Sequence, residues 1–300
     1  ILFLTLFLTL LHPFPTISGL LFALRLHMKA SIAFFAALFS AVLLQAQPMK
    51  PEKVKLESLE AYAMRDSWTN TAFKSGEKLT YRVHYGFVDA GEAVIEIKDA
   101  KYKIKGRDAW HVVGKGYSLG AFDWFFKVRD TYESYIDKKG VFPHRFIRDV
   151  DEGGYKIKQD YTFHQEKRAV STQKKETFAT PEAVQDMISA FYYARTIDFS
   201  KAKKGDIFTV TVFMDNEIFP LRIKYMGKET IKIRAGKFRC MKFVPVVQEG
   251  RVFKSEEDLN VWITDDLNKI PILVKSNILV GSIKMEVTKF EGLANPLAKE

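Results

Sequence analysis

From Gly76 onward the apolar residues of this chain alternate with polar ones, and that period of two constrains the fold more than any other feature. Leu79, Tyr81, Val83, Tyr85 and Phe87 fall on one face of an extended chain, with Thr80, Arg82 and His84 on the other. Asp89-Ala90-Gly91 then turns the chain into Ala93, Ile95 and Ile97, which reads as a hairpin. The same pattern recurs over 110–113, 125–136, 146–150, 155–163, 208–214, 221–225, 231–233, 238–247, 252–263, 272–276 and 282–290. Turn residues separate these runs, among them Lys139-Gly140, Gly153-Gly154, Asp215-Asn216, Ala235-Gly236 and Asp265-Asp266.

Regular short strands with turn signals predict an all-β fold, built on one large curved antiparallel sheet that forms a half-barrel, a barrel or a sandwich-like body. One α-helix is expected near 181–195. Thr180 is placed to cap it, Pro181 and Glu182 suit its first turn, and Ala183, Val184, Met187, Ile188, Phe191 and Tyr192 form an apolar stripe. Such a helix would cover an opening in the sheet. Residues 47–75 form a polar lead-in in which Leu56, Leu59, Tyr62 and Ala63 recur at helical spacing. The rest, 76–295, reads as a single β-rich domain.

The first 46 residues are set apart by composition. Their formal charges are Arg25 and Lys29 alone, and they hold two apolar runs. The first, Ile1–Leu11, is too short to span a bilayer, which takes roughly 20 apolar residues. The second has a basic start at Met28-Lys29, an apolar middle from Ile32 to Leu44, and Ala46 before the expected cut. Residues 28–46 thus read as a cleaved signal peptide and 1–27 as upstream sequence read through in frame; a retained single-pass anchor is the alternative. Export predicts a periplasmic or extracellular protein beginning near Gln47, with no stable membrane anchor after cleavage.

Residues 47–300 carry 44 basic and 36 acidic residues, a net charge of about +8. The basic residues alternate along strands (Lys156 and Lys158, Lys232 and Arg234) as solvated sheet faces do. With export, that argues against nucleic acid as a partner. The single cysteine, Cys240, can form no internal disulfide and reads as a buried thiol.

Three motifs resemble known chemistry. Gly116-Tyr117-Ser118-Leu119-Gly120 matches a hydrolase nucleophile elbow, but the elbow needs a strand turning into a helix over a parallel sheet, and neither is expected here. Asp149 to Gly154 with Asp160 faintly resembles a calcium loop, yet Gly153 occupies a ligand position and flanking helices are missing. His84, His111, His144 and His164 have no metal-ligand spacing, so no metal or other cofactor is expected. Phe122-Asp123-Trp124-Phe125-Phe126 is the stretch most suggestive of binding. Read as a strand, it would send large rings to both sides, where the helix or a ligand must cover them. Phe122, Trp124, Phe125 and Phe126, with Met187 and Phe191 of the helix, are therefore the expected ligand-binding residues.

Phe73, Gly76-Glu77, Leu79-x-Tyr81, Tyr85-Gly86 and Ala90-Gly91 resemble the opening of the exported bacterial family called domain of unknown function 3108. Asp130-x-x-Glu133-Ser134, Pro143, Trp262, Asp266, Pro271 and Gly281-Ser282 continue the likeness over nearly the whole chain from residue 47. The resemblance implies a secreted or periplasmic, mainly β protein, and no activity or catalytic residue. The leading expectation is a soluble, non-enzymatic envelope factor that binds an apolar or amphipathic ligand: lipid, acyl chain or glycolipid. Two alternatives stand beside it: an envelope enzyme acting on polysaccharide or ester, with Asp130 and Glu133 as acids, and an interaction scaffold in outer-membrane or capsule assembly.

Overall fold

The computed structural model describes residues 48–246, 259–277 and 282–300. The apolar runs and expected signal peptide of residues 1–46 lie outside them. Among the described residues, fourteen strands form one antiparallel sheet in which every chain-consecutive pair except β8 and β9 is hydrogen-bonded, and the last strand returns to the first. They are β1 (Lys78–Tyr85), β2 (Val88–Asp99), β3 (Ala109–Ser118), β4 (Val128–Asp137), β5 (Pro143–Glu152), β6 (Tyr155–His164), β7 (Ala169–Thr172) and β8 (Thr177–Ala179). Then follow β9 (Ile207–Met214), β10 (Glu217–Ile233), β11 (Gly236–Pro245), β12 (Leu259–Thr264), β13 (Pro271–Asn277) and β14 (Ser282–Glu291). The helices are α1 (Gly120–Phe125) and α2 (Met187–Arg195).

The sheet curls until its two ends share partners. Tyr161 and Phe163 of β6 and Phe178 of β8 all pack their rings on Phe213 of β9. The polar lead-in is an extended strap rather than the expected helix, with a single 3-10 turn at Leu56–Ser58. Met49 bridges to Ile218 of β10 and Lys53 to Phe178 of β8, so the strap ties the two ends together. It also supplies Val54 N–H to Thr177 O and Glu52 O to Ala179 N–H, bonds an exposed edge strand would lack. Gln185 does the same for β9, exchanging bonds with Thr211 and Phe213.

Three further expectations are corrected. The helix begins at Met187, because Asp186 and not Thr180 caps it: its carboxylate accepts the N–H groups of Ile188 and Ser189, and Ser189 Oγ answers the Asp186 N–H. Ala183, at φ +51°, interrupts any helical course through 181–186. The aromatic stretch 122–126 is not a strand. Gly120–Phe125 form the short helix α1, and β4 begins only at Val128. Runs 221–225 and 231–233 prove to be one long strand, β10, with a register shift between Tyr225 and Gly227.

Candidate functional site

Register decides which side chains share the inner wall of the curled sheet. Tyr81, Ala93, Gly116, Asp130 and Val150 lie side by side across five neighbouring strands. The next row is Leu79, Ile95, Gly114, Tyr132, Arg148 and Gln159. A third holds Ile97, Val112, Ser134, Phe146 and Tyr161. Most of these are core residues, and Gly114 and Gly116 leave two wall positions without side chains beside Tyr132 and Asp130. Set in this apolar wall is a polar cluster: Asp130, Tyr132, Arg148 and Glu152, all buried.

Arg148 is wholly buried. Its Nη1 donates to Gln159 Oε1 (3.3 Å) and to Asp215 Oδ1 (3.2 Å) at the β9–β10 turn. Its Nε and Nη2, and the Tyr132 hydroxyl near them, meet no partner in hydrogen-bonding geometry. Burial raises the Asp130 carboxyl to about 7, against the lowering influence of the neighbouring Glu152 carboxyl, the Asp151 backbone and the Arg148 charge. The Asp130 carboxyl thus keeps its proton more readily than an exposed carboxyl does. Burial likewise pushes the Tyr132 phenol well above its ordinary value. The cluster therefore offers hydrogen-bond donors and acceptors side by side, inside the sheet.

A second buried cluster anchors α2. At its start, Asp186 accepts from Ser134 Oγ of β4 (2.6 Å), and burial raises its carboxyl to about 6. At its end, Arg195 donates to Glu77 through Nη1 (2.6 Å) and Nη2 (2.7 Å), to Ala72 O and to Asn268 O. A third centre lies at the β4–β5 turn. The Asp137 carboxylate takes Arg107, His144 and the N–H groups of Lys139 and Gly140. Despite burial, those donors hold it well below the carboxylate range.

The expected binding residues are divided between two places. α1 packs on β2 and β3, whereas α2 packs on β4 and β9. Phe122 is half-buried, and Trp124 points into water at 91% exposure. Phe125 lies within α1. Phe126 packs against the main core and over Gly153, where a Cβ would come within 2.6 Å of its ring. Met187 is buried in the same core and Phe191 packs partly against it. Glu133, the expected companion of Asp130, is three residues away and so on the outer face, where it meets His111 Nε2 (2.6 Å). Glu152, which faces Asp130 instead, carries no sequence signal: it closes a strand in an acidic turn like many others.

The elbow-like motif does turn from β3 into α1, contrary to expectation. Its Ser118 is nonetheless buried, donates to Asp123 Oδ1 (2.6 Å) and accepts from Val128 N–H, in an antiparallel sheet. It staples the connection. The acidic 149–154 stretch is the β5–β6 hairpin, where Asp149 and Asp151 pair with Lys158 and Lys156. Among the described residues no His, Cys, Asp or Glu cluster could hold a metal. His84 instead lies between Asp89 (Nδ1, 2.8 Å) and Glu286 (Nε2, 3.2 Å), and His164 meets Ser171. Cys240 is buried, which pushes its thiol up to about 12. No described helix is long and apolar enough to cross a membrane.

The sequence profile described as "Protein of unknown function (DUF3108)" matches residues 80–288. No curated protein matches the chain. Among solved structures, a β-barrel-like protein of domain of unknown function DUF1849 from Brucella abortus is similar at 9% identity and TM-score 0.48, over 73% of this chain and 99% of that one. A DUF1089 family protein from Pseudomonas aeruginosa is similar at 10% identity and TM-score 0.36, over 63% of this chain and 90% of that one. A protein with a YmcC-like fold from Bacteroides fragilis is similar at 11% identity and TM-score 0.29, over 73% and 99%.

Proposed function

The chain belongs to the DUF3108 family of proteins of unknown function, and from that premise we propose that it is an exported, non-enzymatic envelope factor that binds an amphipathic ligand with a hydroxyl-bearing head, of the glycolipid class. The observation that carries this reading is the unmet hydrogen-bonding capacity of Arg148 Nε and Nη2 and of Tyr132 OH within an apolar wall. Buried polar groups are nearly always satisfied, so such a gathering of exceptions is a place for something else to bind. A sugar hydroxyl both donates and accepts. It would accept from the guanidinium and the phenol and donate to the carboxyl pair, whereas a purely anionic head would meet the repulsion of Asp130, Glu152 and Asp215. The apolar part of the ligand would rest on core rings, with Phe126, Met187 and Phe191 at hand and Trp124 excluded by its exposure.

Native mass spectrometry of protein purified from its own envelope tests the reading. A co-purifying glycolipid that is lost in a folded Arg148→Met variant is the expected result. Ligand-free protein that also fails to take up added glycolipid would sink it. Export is tested on the same sample: the mature N-terminus should lie at or near Gln47, and a chain retaining Met28 and the apolar run that follows would refute cleavage.

An enzyme acting on polysaccharide or ester is the second reading, favoured by one observation. A carboxyl held up to about 7 beside another is the arrangement a general acid requires. It predicts turnover that Asp130→Asn and Glu152→Gln each abolish, whereas the binding reading predicts none.

A further inference from the structure

The strand ends place two exposed rings on one rim of the sheet. Phe87, at the β1–β2 turn, is fully exposed, Val88 beside it is 52% exposed, and Trp124 on α1 is 91% exposed. The β1–β2 turn and the β3–β4 connection are at the same end because the strands are antiparallel and Gly91 pairs with Ser118. Leu119 N–H donates to Ala90 O (3.0 Å), joining the two directly. Neither ring is a core residue that has lost its cover: each sits in a connection between strands at this rim.

The charges around these tips are one-sided. Asp89 pairs with Arg82 and His84, Glu92 with Arg82, Asp123 with Arg129, and Asp151 with Lys156. Lys127, following α1, and the cross-strand neighbours Lys275 and Lys284, next to His84 at the upper end of the wall, form no ion pair among the described residues. Arg234 joins this cluster at Asp89 and Glu286, so the five acids named are met by Arg82, Arg129, Lys156 and Arg234, and with Lys127, Lys275 and Lys284 the cations outnumber them by two.

We propose that this rim docks the protein on an anionic lipid surface. Trp124 and Phe87 enter the boundary between head groups and acyl chains, and Lys127, Lys275 and Lys284 face the lipid charges. Separate rings on separate tips suit a fluid interface, into which each inserts independently. A stable protein partner would instead need a contiguous complementary patch of about 800 Å² per side. Basic residues near an anionic surface add attraction that falls off with salt. This role is independent of the interior cluster and requires no ligand there.

The test uses vesicles of phosphatidylcholine with and without phosphatidylglycerol. Trp124 emission, isolated as the difference between wild type and Trp124→Phe, should shift to the blue with anionic vesicles. Trp124→Ser and Phe87→Ser should each weaken partitioning about tenfold, since burying one ring contributes at least that factor. Lys127→Glu should weaken binding to anionic vesicles and leave binding to neutral ones unchanged. All three sites are exposed, so unchanged thermal midpoints will show the variants folded. Unchanged Trp124 emission with vesicles would overturn the proposal. So would serine variants that sediment with vesicles as wild type does, which would place the attraction elsewhere in the chain. Concentration-dependent self-association lost in both serine variants would give the rim to a second copy of the chain instead.

Discussion

Arg195 and Arg148 are both buried in the same curled sheet, yet their surroundings differ in kind. Every guanidinium nitrogen of Arg195 is bonded, to both oxygens of Glu77 and to the carbonyls of Ala72 and Asn268. Arg148 has only Nη1 engaged, by Gln159 and by Asp215, which is partly in water. The first arrangement is complete and joins α2 to Glu77, just before β1, and to the β12–β13 loop, so its work is structural. The second is incomplete in the protein alone and sits beside a carboxyl that burial has raised to about 7. Burial of charge is common to both; satisfaction separates a completed anchor from a group with hydrogen-bonding capacity left unmet.

The largest effect is expected where the arrangement is complete. Arg195→Met leaves Glu77 as an unpaired buried charge and should cost about 3–5 kcal/mol in urea unfolding. A cost no greater than that of Arg148→Met would break the distinction between the two clusters.

Asp130→Asn should act in the opposite direction at high pH. The folded protein holds the Asp130 proton up to about 7 against an ordinary 3.8, so it binds that proton more tightly than the unfolded chain. This contribution is fully present below about pH 4, is withdrawn as pH rises to about 7, and is flat above. The variant should therefore be more stable than wild type by about 1–2 kcal/mol at pH 8, with the gain vanishing near pH 4. Paired unfolding curves at the two pH values measure it; a loss at pH 8 would mean that the charged carboxylate is satisfied after all.

Arg148→Met comes next. It deletes two unbonded guanidinium nitrogens along with the bonds to Gln159 and Asp215, so its cost should stay within about 1 kcal/mol. Its larger consequence should be lost ligand retention. Trp124→Ser closes the series, changing stability by no more than about 0.5 kcal/mol because its ring already lies in water. A thermal melt checks this, and a clear loss would mean that the ring packs against the protein.

Much of the fold was legible in the residues. Period two over 79–97 and the turn pairs at 153–154 and 215–216 gave β1, β2 and the hairpins β5–β6 and β9–β10, because alternation is a local property of an extended chain. The short strands β7 and β8 went unread, since four and three residues carry too little periodicity. The stretch 122–126 is misleading for a physical reason: five residues with four rings look like a buried strand, but Asp123, bonded to Ser118 and Arg129, holds a single helical turn there. The helix start is ambiguous in the sequence because Thr180-Pro181 and Asp186 are both good caps, and the partners of Asp186 lie partly in β4. For the candidate site, Asp130 was legible as an acid of interest, but its partner was not.

By itself the sequence determined that this chain forms an antiparallel β fold with one long helix, because strand alternation, turn residues and apolar stripes act over a few neighbours. Only the tertiary structure decided that Asp130 faces Glu152 and not Glu133, that Arg148 is left partly unbonded while Arg195 is not, and that Trp124 and Phe87 both stand in water at the same end of the sheet. Each of these depends on cross-strand register and on how far the sheet curls. Those are set by the balance of all fourteen strands, the strap and α2 together, and no window of adjacent residues contains them.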